Sequence, residues 1–128
     1  MGRIYSFVTI TNPADPDNAV RVSALVDTGA AHLVLPSAWR DRLGVFPSSQ
    51  QVDLETASQS TITGEICGPV QIQLEGFRAI HNEVLFVEMT PEDGIFEPLI
   101  GYIVLEQSQA AVDTLGHRLL HVKHVDLK

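Results

Sequence analysis

The sequence predicts a mostly β domain with one long hairpin and one or two short helices, and three observations lead there. Apolar and polar residues alternate with a period of two along much of the chain, the pattern of strands with one buried face. Turn-forming residues fall between short apolar runs, and no repeat, low-complexity tract or long charged run divides the 128 residues, so a single domain over 1–128 is expected. Helical spacing is confined to two brief stretches, too short for the crossovers of a parallel βαβ sheet.

In chain order, Tyr5, Phe7 and Thr9 alternate with Ile4, Ser6, Val8 and Ile10 as a first strand, and Asn12 to Asn18 reads as a loop from its prolines, Asp and Asn. Val20, Val22, Ala24 and Val26 share one parity, so a second strand runs straight into Asp27. His32 to Leu35 reads as a short strand. Ser37 is placed to cap a two-turn helix through Leu43, which Gly44 closes at a position that tolerates a left-handed conformation. Val52 and Leu54 alternate with Asp53 and Glu55, Thr56 to Thr63 is small and polar, and Ile66, Val70, Ile72 and Leu74 resume the alternation: a long hairpin with a small-residue tip. Val84 to Val87 is continuously apolar, as a strand covered on both faces would be. Thr90 to Gly94 makes a turn, and Pro98 to Gly101 leads into a short helix from Tyr102. Ala111 to Thr114 and Arg118 to Val122 flank a hairpin turn at Leu115, Gly116 and His117.

Composition narrows the function. Eight Lys and Arg against sixteen Asp and Glu give a formal charge of −8, which repels phosphate backbones and anionic lipid and argues against nucleic acid and membranes as partners. The same charge makes self-association costlier at low salt. No apolar run reaches the length of a membrane span, and the first ten residues alternate instead of building a leader. The single cysteine, Cys67, cannot close an internal disulfide; a soluble chain in the reducing cytoplasm is expected.

The residue that stands out chemically is Asp27. The tripeptide Asp27-Thr28-Gly29 is weak by itself, since average residue frequencies would place one in about 3% of chains this long. Its setting adds weight: Ala24-Leu25-Val26 precedes it, Ala30 and Ala31 follow, and His32 to Pro36 is apolar. A plain turn normally has polar flanks, whereas a carboxylate aimed at an apolar setting costs several kcal/mol unless paired or functional. Downstream, Leu99-Ile100-Gly101 opens a helix.

In this order of elements the sequence, from about Ala19 to Val122, resembles the retropepsin-like aspartic peptidases, whose pattern is a strand, Asp-Thr/Ser-Gly-Ala, a flap hairpin and a hydrophobic-hydrophobic-Gly segment entering a helix. The resemblance implies a closed acid-protease barrel with a flap hairpin, a peptide or protein substrate, and chemistry without metal or other cofactor. Two adjacent carboxylates sharing one proton supply both the base and the acid of peptide hydrolysis, because like charges at close range split their pKa values. The two-lobed pepsin-like enzymes carry two such motifs in a far longer chain. One motif here means that the second carboxylate comes from another copy, with a two-fold axis placing Asp27 beside its symmetry mate in a homodimer. Gly29 permits a tight turn with N–H groups near the carboxylate, and Ala30 leaves room for an extended substrate. The resemblance gives Thr28 a bond across the dimer axis, places Thr56, Ala57, Ser58 and Gln59 at the flap over a bound peptide, and puts Ile100 in the binding groove. A plain surface hairpin tip is the other reading of Thr56 to Gln59.

Departures from the pattern matter. Retroviral members place an Asp two residues after the motif's glycine and an Arg just after the second glycine, a charge pair that braces the dimer; here these positions are Ala31 and Tyr102. Both partners are missing together, so other contacts, such as a terminal strand from His121 to Leu127, must hold two copies. No glycine lies in Thr56 to Thr63, which predicts a stiffer or differently shaped flap.

Asp113-Thr114 reads as ordinary turn chemistry. His117, His121 and His124 are close in sequence, but strand alternation turns His124 away and no Cys or carboxylate completes a tetrahedral set, so solvated histidines are expected and a metal site is not. Trp39, at helical spacing from Leu35 and Leu43, is expected to anchor the core, and Cys67 to be a small buried hydrophobe. Two functions stay open at this point: a homodimeric endopeptidase acting through an Asp27 dyad, and a non-enzymatic dimeric module of the same fold that offers a groove to partner peptides. A metal-binding regulator rests on the histidines alone.

Overall fold

The chain, in a computed structural model that describes residues 3–56 and 58–122, begins with two long strands, β1 (Tyr5–Asn12) and β2 (Asp15–Val26), and a short one, β3 (Leu33–Pro36). A 3-10 helix (Ser37–Leu43) leads to the hairpin strands β4 (Ser48–Glu55) and β5 (Thr61–Leu74). Then come β6 (Ile80–Val87), β7 (Leu99–Ile100), helix α1 (Tyr102–Ser108), and β8 (Ala110–Asp113) with β9 (Arg118–His121). The neighbour order is β1-β2-β7-β3-β6-β5-β4, and β1 also pairs with β5, so six strands close a ring from which β4 hangs as the outer arm of the hairpin. Strands β8 and β9 pair separately.

Period-two alternation builds the ring. Ile4, Val8 and Ile10 face inward and are buried, while Tyr5 and Phe7 face out, Phe7 beneath the Arg21 guanidinium at 4.1 Å from its ring centroid. Val8 and Ile10 are held from both sides, opposite Val22 and Val20 on β2 and opposite Leu74 and Ile72 on β5. These residues, with Leu35, Leu43 and Phe86, make the main core.

The parallel pair β3 and β6 is buried on both faces, which is why Val84 to Val87 is apolar without interruption. Leu33, Leu35, Val84 and Phe86 point into the ring. Val34, Leu85 and Val87 point out of it and form a second cluster with Val52, Leu54 and Ile66 of the hairpin. The hairpin is thus packed against the ring's outer face rather than projecting free of it.

The expected loop from Asn12 to Asn18 contracts to a turn at Pro13-Ala14, with β2 resuming at Asp15. The cause is Asn12, which is fully buried. Its Nδ2 donates to the carbonyls of Leu43 (2.7 Å) and Val45 (2.9 Å), and its Oδ1 accepts from the Ala14 amide (3.0 Å). One side chain therefore closes the turn and ties it to the end of the 3-10 helix. Ser37 does not cap that helix: it lies inside the first turn, Pro36 precedes it, and the segment winds as 3-10. Gly44 does close it, at φ 83°. The hairpin tip is shorter than expected, since β5 begins at Thr61 and leaves a tip of residues 56–60. The strand expected from His121 to Leu127 ends at His121 among the described residues, and positions 123–127 lie outside them.

Asn12→Ala would orphan two carbonyls and an amide at a buried point. We expect it to lower the unfolding free energy by about 2–4 kcal/mol, read as a fall in urea midpoint at constant m-value; an unchanged midpoint would show that the turn is held by other contacts.

Candidate active site

Strand β2 ends at Val26, and the next residue leaves the sheet at a point where two chain segments cross. The Leu25 amide donates to the Pro98 carbonyl (2.9 Å) and the Asp27 amide to that of Ile100 (3.0 Å). On the far side of the crossing, the Tyr102 amide donates to Ala30 (2.8 Å) and the Ile103 amide to Ala31 (3.1 Å). These last two are free amides of α1's first turn, so the loop after Asp27 satisfies the start of the helix. Gly101 lies at the centre. A Cβ there would come within 2.5 Å of the Ala31 carbonyl carbon, which excludes any side chain.

The loop's internal geometry fixes the carboxylate. The Gly29 amide donates to Asp27 Oδ1 at 2.9 Å, and the Ala30 amide donates to the Asp27 carbonyl at 3.1 Å. A Cβ on Gly29 would stand 3.2 Å from Oδ1, tight enough to disturb that bond. Asp27 is half-buried, and Thr28 and Gly29 are exposed beside it. Among the described residues, the Gly29 amide is the only donor to the Asp27 carboxylate, which leaves Oδ2 open.

Ala30 packs on the second apolar cluster, which links the motif to the hairpin wall of Val52, Leu54 and Ile66 and to Leu99. Ile100 does not reach that face. It is fully buried in the main core, and strand alternation turns Leu99, not Ile100, toward the cluster. Leu99 is the residue of this pair beside Ala30 on the second cluster, a placement the period of two could have indicated.

At the hairpin tip the Thr56 amide donates to the Ser60 carbonyl (2.8 Å) and the Gln59 amide to that of Thr56 (2.9 Å). Thr56 Oγ1 and Ser58 Oγ lie 3.0 Å apart. Gln59 takes a left-handed backbone at φ 64°, the conformation for which a glycine would be expected. Ala57 lies outside the described residues.

The other sequence candidates take structural places. Asp113 Oδ1 accepts from the amides of Leu115 (3.1 Å) and Gly116 (3.0 Å), and its Oδ2 meets Arg118 at 3.3 Å. The Gly116 amide foremost, with Arg118 and Leu115, holds its pKa below the ordinary carboxylate value. His117 sits in the same turn at φ 53°, His121 stacks on Phe77, and His124 lies outside the described residues. Trp39 packs against the core and meets Phe96 edge-on at 5.8 Å. Cys67 is buried, and that burial pushes its thiol pKa up.

A polar brace unpredicted from sequence holds the hairpin's base. Arg40, on the 3-10 helix, pairs with Glu65 of β5, and the Ser49 hydroxyl of β4 donates to the other Glu65 oxygen at 2.5 Å. The Ser49 hydroxyl first, and Arg40 after it, hold the Glu65 pKa below its ordinary value against the opposing effect of burial. A lowered carboxylate pKa contributes stability that is complete above the ordinary glutamate value of about 4.3 and is lost as pH falls through the lowered one. We expect Glu65→Gln to cost about 1–2 kcal/mol at neutral pH, screening included, and the deficit to shrink in acid. Thermal melts across pH check this, and a deficit independent of pH would contradict it.

Residues 13–102 match the sequence profile of a family described as aspartyl protease. No curated protein sequence matches the chain. Among solved structures, the EIAV protease in complex with the inhibitor HBY-793 superposes with a TM-score of 0.59 at 23% identity, covering 83% of this chain and 88% of that one. The retroviral protease-like domain of Ddi1 from Leishmania major gives 0.56 at 22%, covering 94% and 90%. The fold of this chain is the retropepsin fold, and with the match spanning both the Asp27 motif and Leu99-Ile100-Gly101, the chain belongs to the aspartyl protease family.

Proposed function

We propose that two copies of the chain make an aspartic endopeptidase in which Asp27 of each supplies one carboxylate of a catalytic dyad. The observation that carries the reading is Asp27 itself: the chain's single Asp-Thr-Gly leaves β2 with one carboxylate oxygen pinned by Gly29, the other without a donor among the described residues, and Thr28 exposed beside it. One carboxylate can be base or acid but not both at once; a symmetry mate supplies the missing role. With one proton between them, the ionised carboxylate takes a proton from water as its oxygen attacks the scissile carbonyl. The protonated one gives its proton to the carbonyl oxygen, and the resulting diol collapses with proton delivery to the leaving amine. Thr28 would anchor the loop to the partner's backbone and keep the two carboxylates level.

The substrate is an extended peptide segment. Ala30 and Leu99, with Val52, Leu54 and Ile66 opposite, offer an apolar floor and wall for side chains beside the scissile bond. The tip residues Thr56, Ser58 and Gln59 present backbone groups for a strand-like ligand.

Asp27→Asn is expected to lower cleavage of unfolded protein or peptide libraries by about 100-fold to 10,000-fold while leaving the fold intact by circular dichroism. Wild-type activity should follow a bell-shaped pH profile peaking below neutrality, because the dyad works only when singly protonated, and should be blocked by pepstatin-type inhibitors. Equal turnover by wild type and Asp27→Asn would overturn the mechanism, and peptide capture without turnover at any pH would identify a binding module instead.

A further inference from the structure

At the edge where Asp27 emerges, an apolar cavity and an apolar knob lie side by side. The cavity, about 580 Å³, is walled by Ile4, Leu25, Val26 and Val112 and bounded by Arg3, Asp27, Thr28 and Thr114. Thr114 begins the β8–β9 turn, whose next residue, Leu115, is 94% exposed, more than any other large hydrophobic side chain among the described residues. Leu115 is not on a loose loop. Asp113 caps the Leu115 and Gly116 amides and meets Arg118 across the turn. A leucine held out in a rigid turn loses little entropy on burial, which is what an interface anchor needs.

The charge distribution marks the same face. The charged groups of the cavity and turn, with the Glu97 that pairs with Arg3, are two arginines (Arg3, Arg118) and three carboxylates (Asp27, Glu97, Asp113). All but one of the chain's eight net negative charges therefore lie elsewhere. With a net charge of −1, this set of groups offers a second copy little local repulsion.

We infer that Leu115 of each copy seats in the cavity beside Asp27 and Thr28 of the other, and that this pair of reciprocal contacts locks the dimer. The inference rests on the dyad reading for its partner: any two-fold arrangement that joins two Asp27 carboxylates also brings the second copy against the cavity wall that Asp27 and Thr28 form. An isologous interface repeats every contact twice, so knob and cavity need only be complementary to each other. The lock would serve where Ala31 and Tyr102 leave no charge pair.

Sedimentation of Leu115→Asp and Leu115→Met against wild type tests the lock. The Asp variant is expected to weaken dimerisation about a thousandfold, two anchor losses of roughly thirtyfold each, and to lose activity at concentrations where the Met variant keeps both. Two single-cysteine variants in a Cys67→Ser background, Leu115→Cys and Arg3→Cys, should form a mixed disulfide when combined under mild oxidation. A Leu115→Asp protein as dimeric and active as wild type would overturn the lock and leave the dyad standing, as would a dimer giving no mixed disulfide. Asp27→Asn should remain as dimeric as wild type; if it also remains fully active, the dyad reading fails while Leu115 dependence still judges the interface. A wild type that cleaves as a monomer would end both.

Discussion

The structure at Asp27 depends on a crossing of backbones. Two segments far apart in sequence, the end of β2 with its following loop and the passage from β7 into α1, are joined by four amide-to-carbonyl hydrogen bonds in which no side chain takes part. Gly101 makes the approach possible, because the Ala31 and His32 carbonyls occupy the space where a Cβ would go. Helix α1 is only seven residues long and has no side-chain cap. Its first amides are satisfied instead by the loop that carries the carboxylate, so neither element is complete without the other. A backbone crossing holds position independently of pH and salt, which suits the proton-exchanging role proposed for Asp27.

From that crossing, order passes to the hairpin through strands buried on both faces. Leu99 and Val34 are paired across β7 and β3, and β3 runs parallel to β6, so one packed layer separates the ring's interior from the hairpin. The same backbone that carries Leu33 and Phe86 into the main core carries Val34, Leu85 and Val87 to the hairpin's underside. The hairpin's base is then fixed twice, by this apolar contact and by the Arg40–Glu65–Ser49 brace. Its tip, held by its own short hydrogen bonds, is the part least constrained by the ring.

Much of this was legible in the sequence because it follows from local rules. The alternation of Ile4, Val8 and Ile10 predicted the inward face of β1, the unbroken run at Val84 to Val87 predicted a strand with two buried faces, and the punctuation at Leu115 to His117 predicted the last hairpin. What could not be read were long-range partners. Asn12 looks like a loop residue until the carbonyls of Leu43 and Val45 arrive beside it, and Ser37 looks like a cap until Pro36 and 3-10 winding take that role. Ile100 was assigned to the groove by its place in a motif, yet strand parity sends it into the core and exposes Leu99 to the second cluster. The Glu65 brace joins three elements, and nothing in the spacing of Arg40, Ser49 and Glu65 announces it.

The absent charge pair at Ala31 and Tyr102 takes on a different meaning once the crossing is known. Ala30 and Ala31 face the start of α1 through carbonyls, and Gly101 lets the two backbones meet directly. Bracing within one copy is therefore done by backbone, and the missing charges would need replacement only between copies of the proposed dimer. In the proposed dimer the balance would shift from ion pairing toward apolar burial, since Ile4, Leu25, Val26 and Val112 make up the apolar part of a cavity that Arg3 and Asp27 also line. Acid and salt would act on such an association through the carboxylates spread over the rest of the chain, by relieving long-range repulsion between two bodies of net charge −8. On the dyad reading, the mild acid that leaves one proton on the pair would also favour the association that creates it.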